Sequence, residues 1–187
     1  MKLLVDNLTY ILLQRHDIEP EQAEWMRYAL LRRLTSLVTF LILLPVGMLL
    51  VGLIRATLFI FTFRFLRTRT GGYHARTAIG CFAASLSTML ISLVIARNVS
   101  SCGVSVGVFL VALSLIWVLA PANNIYLHLS KDEISAIRSK LKIRIVIVFS
   151  LGCALLPLNI CSANCVIGAT ASVGIMLLLS AIGFGIQ

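Results

Sequence analysis

LTSLVTFLILLPVGMLLVGL, residues 34–53, runs for 20 consecutive positions without a charged side chain. Wound as an α-helix, such a run rises about 30 Å, the thickness of the hydrocarbon core of a bilayer. Arg33 closes it on one side and Arg55 follows it on the other, while Pro45 and Gly47 inside it predict a kink. Outward from this run the pattern repeats. Residues 79–96, 102–120, 143–158 and 166–183 are apolar and long enough to span, and a shorter apolar piece at 56–66 carries Arg64. An arginine at the bilayer centre costs about 2.5–3.5 kcal/mol on insertion scales, so Arg55 and Arg64 are expected to snorkel or to face a polar interior. The 56–66 piece is accordingly expected to be a short or re-entrant helix. The fold class that follows is all-α, a polytopic integral membrane protein with about six membrane-embedded helices and amphipathic N-terminal interfacial helices.

Composition agrees with that class. Hydrophobic residues make up 59% of the chain and charged residues 12%, too oily a balance for a soluble domain of 187 residues. The organisation expected is a single membrane domain over 1–187, with an interfacial segment at 1–33 and a helical core at 34–183. The net charge of +9 is concentrated between the apolar runs, which suits a lipid bilayer with anionic headgroups or an acidic peptide. Without a basic-aromatic binding motif, nucleic acid is not an expected partner. Five cysteines, an odd number scattered mostly inside apolar runs, argue against a disulfide framework and leave at least one thiol free. Cys161 and Cys165 lie four apart without further ligands beside them, so no metal or other cofactor is expected.

At the N-terminus, Leu4, Leu8, Ile11 and Leu12 share one helical face in a run too short to cross a bilayer. No cleavage site follows, so a signal peptide is not expected. Pro20 fits a first helical position, with Glu21 and Glu24 early and Arg32 and Arg33 late, the order a helix dipole favours. Trp25 and Tyr28 are expected at headgroup level, and His16 and His128 as solvated or interfacial side chains. Small residues at Gly168, Ala171, Gly174 and Ala181 would let helices approach closely. Cations cluster before residue 34, within 67–76 and within 131–144. If all three clusters are cytoplasmic, both termini are too, and 99–101 and 159–164 become outer loops.

The polar interval RTRTGGYHARTAIGC, residues 67–81, stands out from this background. It holds Arg67, Arg69, Arg76, the glycines Gly71 and Gly72, His74 and Cys81. His74 and Cys81 are the one base and nucleophile pair close in sequence. A thiolate is the reactive form of cysteine, and a nearby histidine or a helix N-terminus increases its fraction. On one straight helix seven residues would separate the two alpha carbons by roughly 10 Å, too far for a hydrogen bond. The chain must therefore break, with Gly71 and Gly72 in a turn, Thr77 as N-cap, and Cys81 near the start of the next helix. No carboxylate lies close enough in sequence to orient the imidazole; Asn123, Asn124 or a backbone carbonyl could do so. Read from residue types alone, a cysteine serving as a small apolar residue and a solvated histidine stay open as alternatives.

Arg67, Gly71-Gly72, His74-Ala75, Cys81 and Ser85, in a basic chain of this size and hydropathy, resemble the accessory gene regulator B (AgrB-like) family. Those are integral membrane cysteine endopeptidases of bacterial quorum sensing. The specific residues are confined to 67–85, with a weaker echo at Ala120-Pro121, and residues 123–130 depart from the family's usual proline-rich run followed closely by a basic residue. The resemblance implies a bacterial cytoplasmic membrane location. It implies as substrate a short pro-peptide with an amphipathic N-terminal helix and an acidic C-terminal tail. The tail would be cleaved through a thioester on Cys81, with His74 as base and then acid, and the product cyclised to a thiolactone or lactone. Arg67 would bind the tail or hold the loop, Gly72 would supply a backbone conformation closed to side chains, and a homodimer is compatible with the family. Arg69, Arg76 and the 131–144 cluster are candidates for attracting the tail, against the simpler reading that they follow the positive-inside bias. A second class of function, a small transporter or transport accessory with the motif as a headgroup or substrate site, would show no covalent intermediate.

Overall fold

The computed structural model describes residues 2–14, 22–71, 78–122 and 131–183. Those residues form seven helices, α1 (Lys2–Gln14), α2 (Ala23–Val51), α3 (Leu53–Thr70), α4 (Ala78–Asn98), α5 (Cys102–Leu119), α6 (Lys131–Leu158) and α7 (Ile160–Ala181). The architecture is all-helical, and α2, α4, α5, α6 and α7 each contain a segment long and apolar enough to cross a membrane. The protein is a polytopic helical membrane protein.

Two compact units divide the chain between Ile42 and Leu43. In the first, α1 buries Val5 and Thr9, the Thr9 hydroxyl donating back to the Val5 carbonyl, while Arg27 of α2 pairs with Asp6 at 2.5 Å. The helix that carries Arg27 continues without a break into the first apolar span.

The second unit is organised around α7. Two-thirds of its span (67%) is buried, against at most 28% for any other, so α7 is the central helix and α3, α4, α5 and α6 pack around it. Its small residues explain that place. A Cβ on Gly168 would stand 3.4 Å from Ser92 of α4, and one on Gly174 would stand 3.4 Å from the Ala112 carbonyl of α5. Ala181, expected to serve the same purpose, is exposed at the helix end. The surface is inverted relative to a soluble protein: Leu49, Ile54, Val111 and Ile143 lie exposed on the outside, while Ser105, Asn164, Thr170 and Ser172 are buried. A bilayer accounts for that distribution, since lipid solvates the apolar exterior and the polar groups must satisfy one another inside.

Several expected boundaries move. Helix α2 runs through Pro45 and Gly47 to Val51, and the chain turns at Gly52, where φ is +85°. Gly47 instead marks a close approach, because a Cβ there would come within 2.9 Å of Ala56 Cβ. Nine residues of continuous helix would hold those positions about 13 Å apart, so the chain turns sharply at Gly52. The piece expected to be short at 56–66 is an 18-residue helix burying Ala56, Phe59, Ile60, Thr62, Leu66 and Thr70 on one face. Helix α6 begins at Lys131 and not near 143: Leu141, Ile145 and Val148 repeat at helical spacing, and Arg138, Lys142 and Arg144 flank that buried stripe. The expected outer loop at 159–164 reduces to Asn159, whose Oδ1 accepts from the Ser162 N–H and caps α7.

The helix ends of this unit sort into two groups. At one end, Asn164 of α7 donates to the carbonyls of Ala96 and Val99 and accepts from Ser105, joining the end of α4 to the start of α5. Arg97 reaches the Leu50 carbonyl at the same end. At the other, the Ala122 N–H donates to the Thr70 carbonyl at 2.9 Å, and Arg144 donates to the Phe65 carbonyl and to Thr68, tying α3, the segment after α5, and α6 together.

Candidate active site at the basic end of the bundle

The last turn of α3 carries Arg67 and Arg69 toward Gly71. Gly71 has φ +66° and ψ −142°, a conformation open essentially to glycine, and an added Cβ would also meet the Ala122 carbonyl oxygen at 3.2 Å. Both constraints fall on this one residue, so the chain leaves α3 in a fixed direction. Gly71 thus takes part in the expected glycine turn; Gly72, for which a conformation closed to side chains is expected, lies outside the described residues.

Helix α4 starts at Ala78, which places Cys81 in its first turn. The thiol is free and half-buried. In an α-helix the Cβ bonds tilt toward the N-terminus, so the sulfur of Cys81 lies toward the end at which the first N–H groups have no partner within the helix. Ser85, one turn later, donates its hydroxyl to the Cys81 carbonyl at 2.9 Å, and so belongs to the helix backbone around the thiol. His74, Arg76, Thr77, Asn123 and Asn124 lie outside the described residues, as do His16 and His128.

Arg67 is half-buried, its Nη1 atom shielded from solvent, and Arg69 is half-buried as well. Opposite them, Arg144 of α6 stacks its guanidinium 4.6 Å over the Phe65 ring while donating to the Phe65 carbonyl and to Thr68 Oγ1 at 2.6 Å. Arg69 stands near enough to repel it. The arrangement fixes the last turn of α3 from two directions, by Ala122 at its terminal carbonyl and by Arg144 one turn earlier. Neither contact could be read from the sequence, since both use backbone carbonyls that carry no residue signature; the sole hint was the Ala120-Pro121 echo. Among the described residues this end gathers Arg67, Arg69, Arg138, Lys142 and Arg144 against the acids Asp132 and Glu133, so its field is positive.

Chemically, the described part of the site offers a thiol at a helix start and a basic surround fit for a carboxylate-bearing substrate. Compared with known protein families, the chain matches the model described as accessory gene regulator B over residues 5–182. No curated protein and no solved structure matches the chain.

Proposed function

The chain belongs to the accessory gene regulator B family, hence to the membrane proteins of autoinducer peptide processing, and we propose that it acts there as a cysteine endopeptidase with Cys81 as nucleophile and His74 as acid and base. The observation that carries this reading is the position of Cys81, a free thiol in the first turn of α4 just beyond the segment that bears His74. Negative charge on its sulfur is favoured there by the helix N-terminus.

The substrate class is a short pro-peptide with an amphipathic helix and an acidic tail. Its tail is drawn to the basic end, where Arg67 and Arg69 lie within two residues of Gly71 and Arg76 follows. His74 takes the proton from the Cys81 thiol, and Sγ attacks the carbonyl carbon at the tail junction. The tetrahedral intermediate collapses as the C–N bond breaks, His74 returns the proton to the leaving amine, and a thioester on Cys81 results. A cysteine or serine within the retained peptide attacks that thioester, forms the ring as a thiolactone or lactone, and restores the Cys81 thiol. Cyclisation is favoured over hydrolysis because the attacking group belongs to the same acyl chain, which raises its effective concentration at the thioester. Asn123 is a candidate to orient the imidazole. The basic end faces the cytoplasm, and Ser101 and Asn159 lie on the outer side.

Co-expression with a candidate precursor tests this. Cleavage is expected with the unaltered chain and is expected to vanish in Cys81→Ala and His74→Ala at normal membrane levels. Undiminished cleavage by Cys81→Ala contradicts the assignment and returns the chain to a transporter or accessory class.

A further inference from the structure

Between α5 and α6, at the same basic end as Cys81 and lined by two of its cations, lies a groove of about 350 Å³ formed by Trp117, Ala120, Arg138, Leu141, Lys142 and Ile145. We propose that this groove holds an anionic phospholipid, its phosphate between Arg138 and Lys142 and an acyl chain along the apolar floor.

Depth is the first reason. Helix α6 has 28 residues and is therefore about 42 Å long, more than the roughly 30 Å of a hydrocarbon core. Counting back from Leu158, residues 139–158 fill that thickness, so Arg138 falls at its edge and Lys142 about one turn inside, within snorkelling reach of the headgroup phosphates. Trp117, near the end of α5 and half-exposed, sits at the same level, as an interfacial indole does.

The second reason is the lining. Arg138 and Lys142 are one helical turn apart, both exposed, and like charges at that spacing repel unless an anion lies between them. Lys142 is held with its ammonium 5.3 Å from the centre of the Trp117 ring, which directs it across the groove. Below the cations the floor is Ala120, Leu141 and Ile145, all buried, and Val118 beside it faces outward. A ligand with a negative head and an apolar body fits such a surface. The tail of an acidic peptide would lay polar backbone on the apolar floor, where it would lose its hydrogen bonds with water. Basic pockets between membrane helices on the cytoplasmic side hold acidic headgroups in this manner.

The groove can be probed without any peptide. In full-length chain carrying Trp25→Phe, Trp117 is the sole tryptophan and reports lipid contact through quenching by brominated acyl chains. In vesicles of mixed composition, brominated phosphatidylglycerol is expected to quench Trp117 as though enriched about fivefold or more over brominated phosphatidylcholine, the preference conferred by one basic side chain near a surface. Unbrominated phosphatidylglycerol should reverse the excess in the same protein. Arg138→Gln with Lys142→Gln should abolish it, and Lys142→Arg should keep it. Equal quenching by the two brominated lipids overturns the proposal, as does an excess unchanged by the double substitution. Loss of peptide processing in the double variant without any lipid preference also overturns it, assigning the groove to the acidic peptide.

Discussion

The two ends of the second unit meet the same requirement in opposite ways. At each, a helix terminus near the membrane leaves carbonyls that need donors. At the Asn164 end the donor is a neutral amide, 5% exposed, that also takes the Ser105 hydroxyl; three bonds close on one another with no charge. At the Arg144 end the donor is a guanidinium, half-buried, beside further cations and open to solvent. The Asn164 network is sealed, and Arg97, at its exposed margin, reaches the Leu50 carbonyl. The charged end stays accessible, and it is where the thiol of Cys81 and the arginines of α3 come to the surface.

Substitutions can break this contrast, and the largest effect is expected at the sealed end. Asn164→Leu strands the carbonyls of Ala96 and Val99, while the Ser105 hydroxyl keeps its bond to the Ser101 carbonyl, costing about 2 kcal/mol at roughly 1 kcal/mol per bond. Reversible unfolding in mixed micelles would measure the loss, while peptide processing per folded molecule should be unchanged. Gly71→Ala comes next: a positive φ and the Ala122 carbonyl oppose the methyl, for about 1–3 kcal/mol of strain. Here processing should fall by more than stability explains, visible as a lower kcat in detergent assays normalised to folded protein. Arg144→Gln is expected to cost about 1 kcal/mol and to raise KM for the precursor more than it lowers kcat, and Arg144→Lys should restore part of the stability but not the two-pronged contact.

The smallest effect belongs to an ion pair outside both ends. Asp6 raises the Arg27 guanidinium above its ordinary value through a side-chain hydrogen bond and charge attraction. A raised value in the folded state means that the contribution is present below the unfolded pKa and lost only as pH rises through the folded one, in strong alkali. Stability should therefore show no dependence on Arg27 between about pH 6 and 9, and Asp6→Asn should leave the unfolding curve in place.

What the sequence made legible follows the same divide. Helices α4 and α5 could be placed to within about two residues because their apolar runs are uninterrupted and flanked by polar breaks. The start of α6 could not, because hydropathy reads Arg138, Lys140, Lys142 and Arg144 as a loop, whereas long basic side chains ride on a helix whose other face is apolar. The full length of α3 was hidden for the same reason, its arginines making a helix resemble a boundary. In the candidate site, the order of residues and the position of Cys81 near a helix start were legible from the glycines and the following apolar run. The clamp on α3 was not, since Arg144 finds Phe65 from 79 residues away through a backbone oxygen.

Under the proposed function, Cys81 carries the peptide as a thioester. Intact mass spectrometry of the purified chain, quenched in acid during turnover of a precursor whose internal cysteine or serine is replaced by alanine, tests it directly. An adduct equal to the retained peptide less water is expected, released by hydroxylamine, mapped to Cys81 and missing in Cys81→Ala. Processing that proceeds at full rate with no adduct, or an adduct on another of the five cysteines, would contradict it.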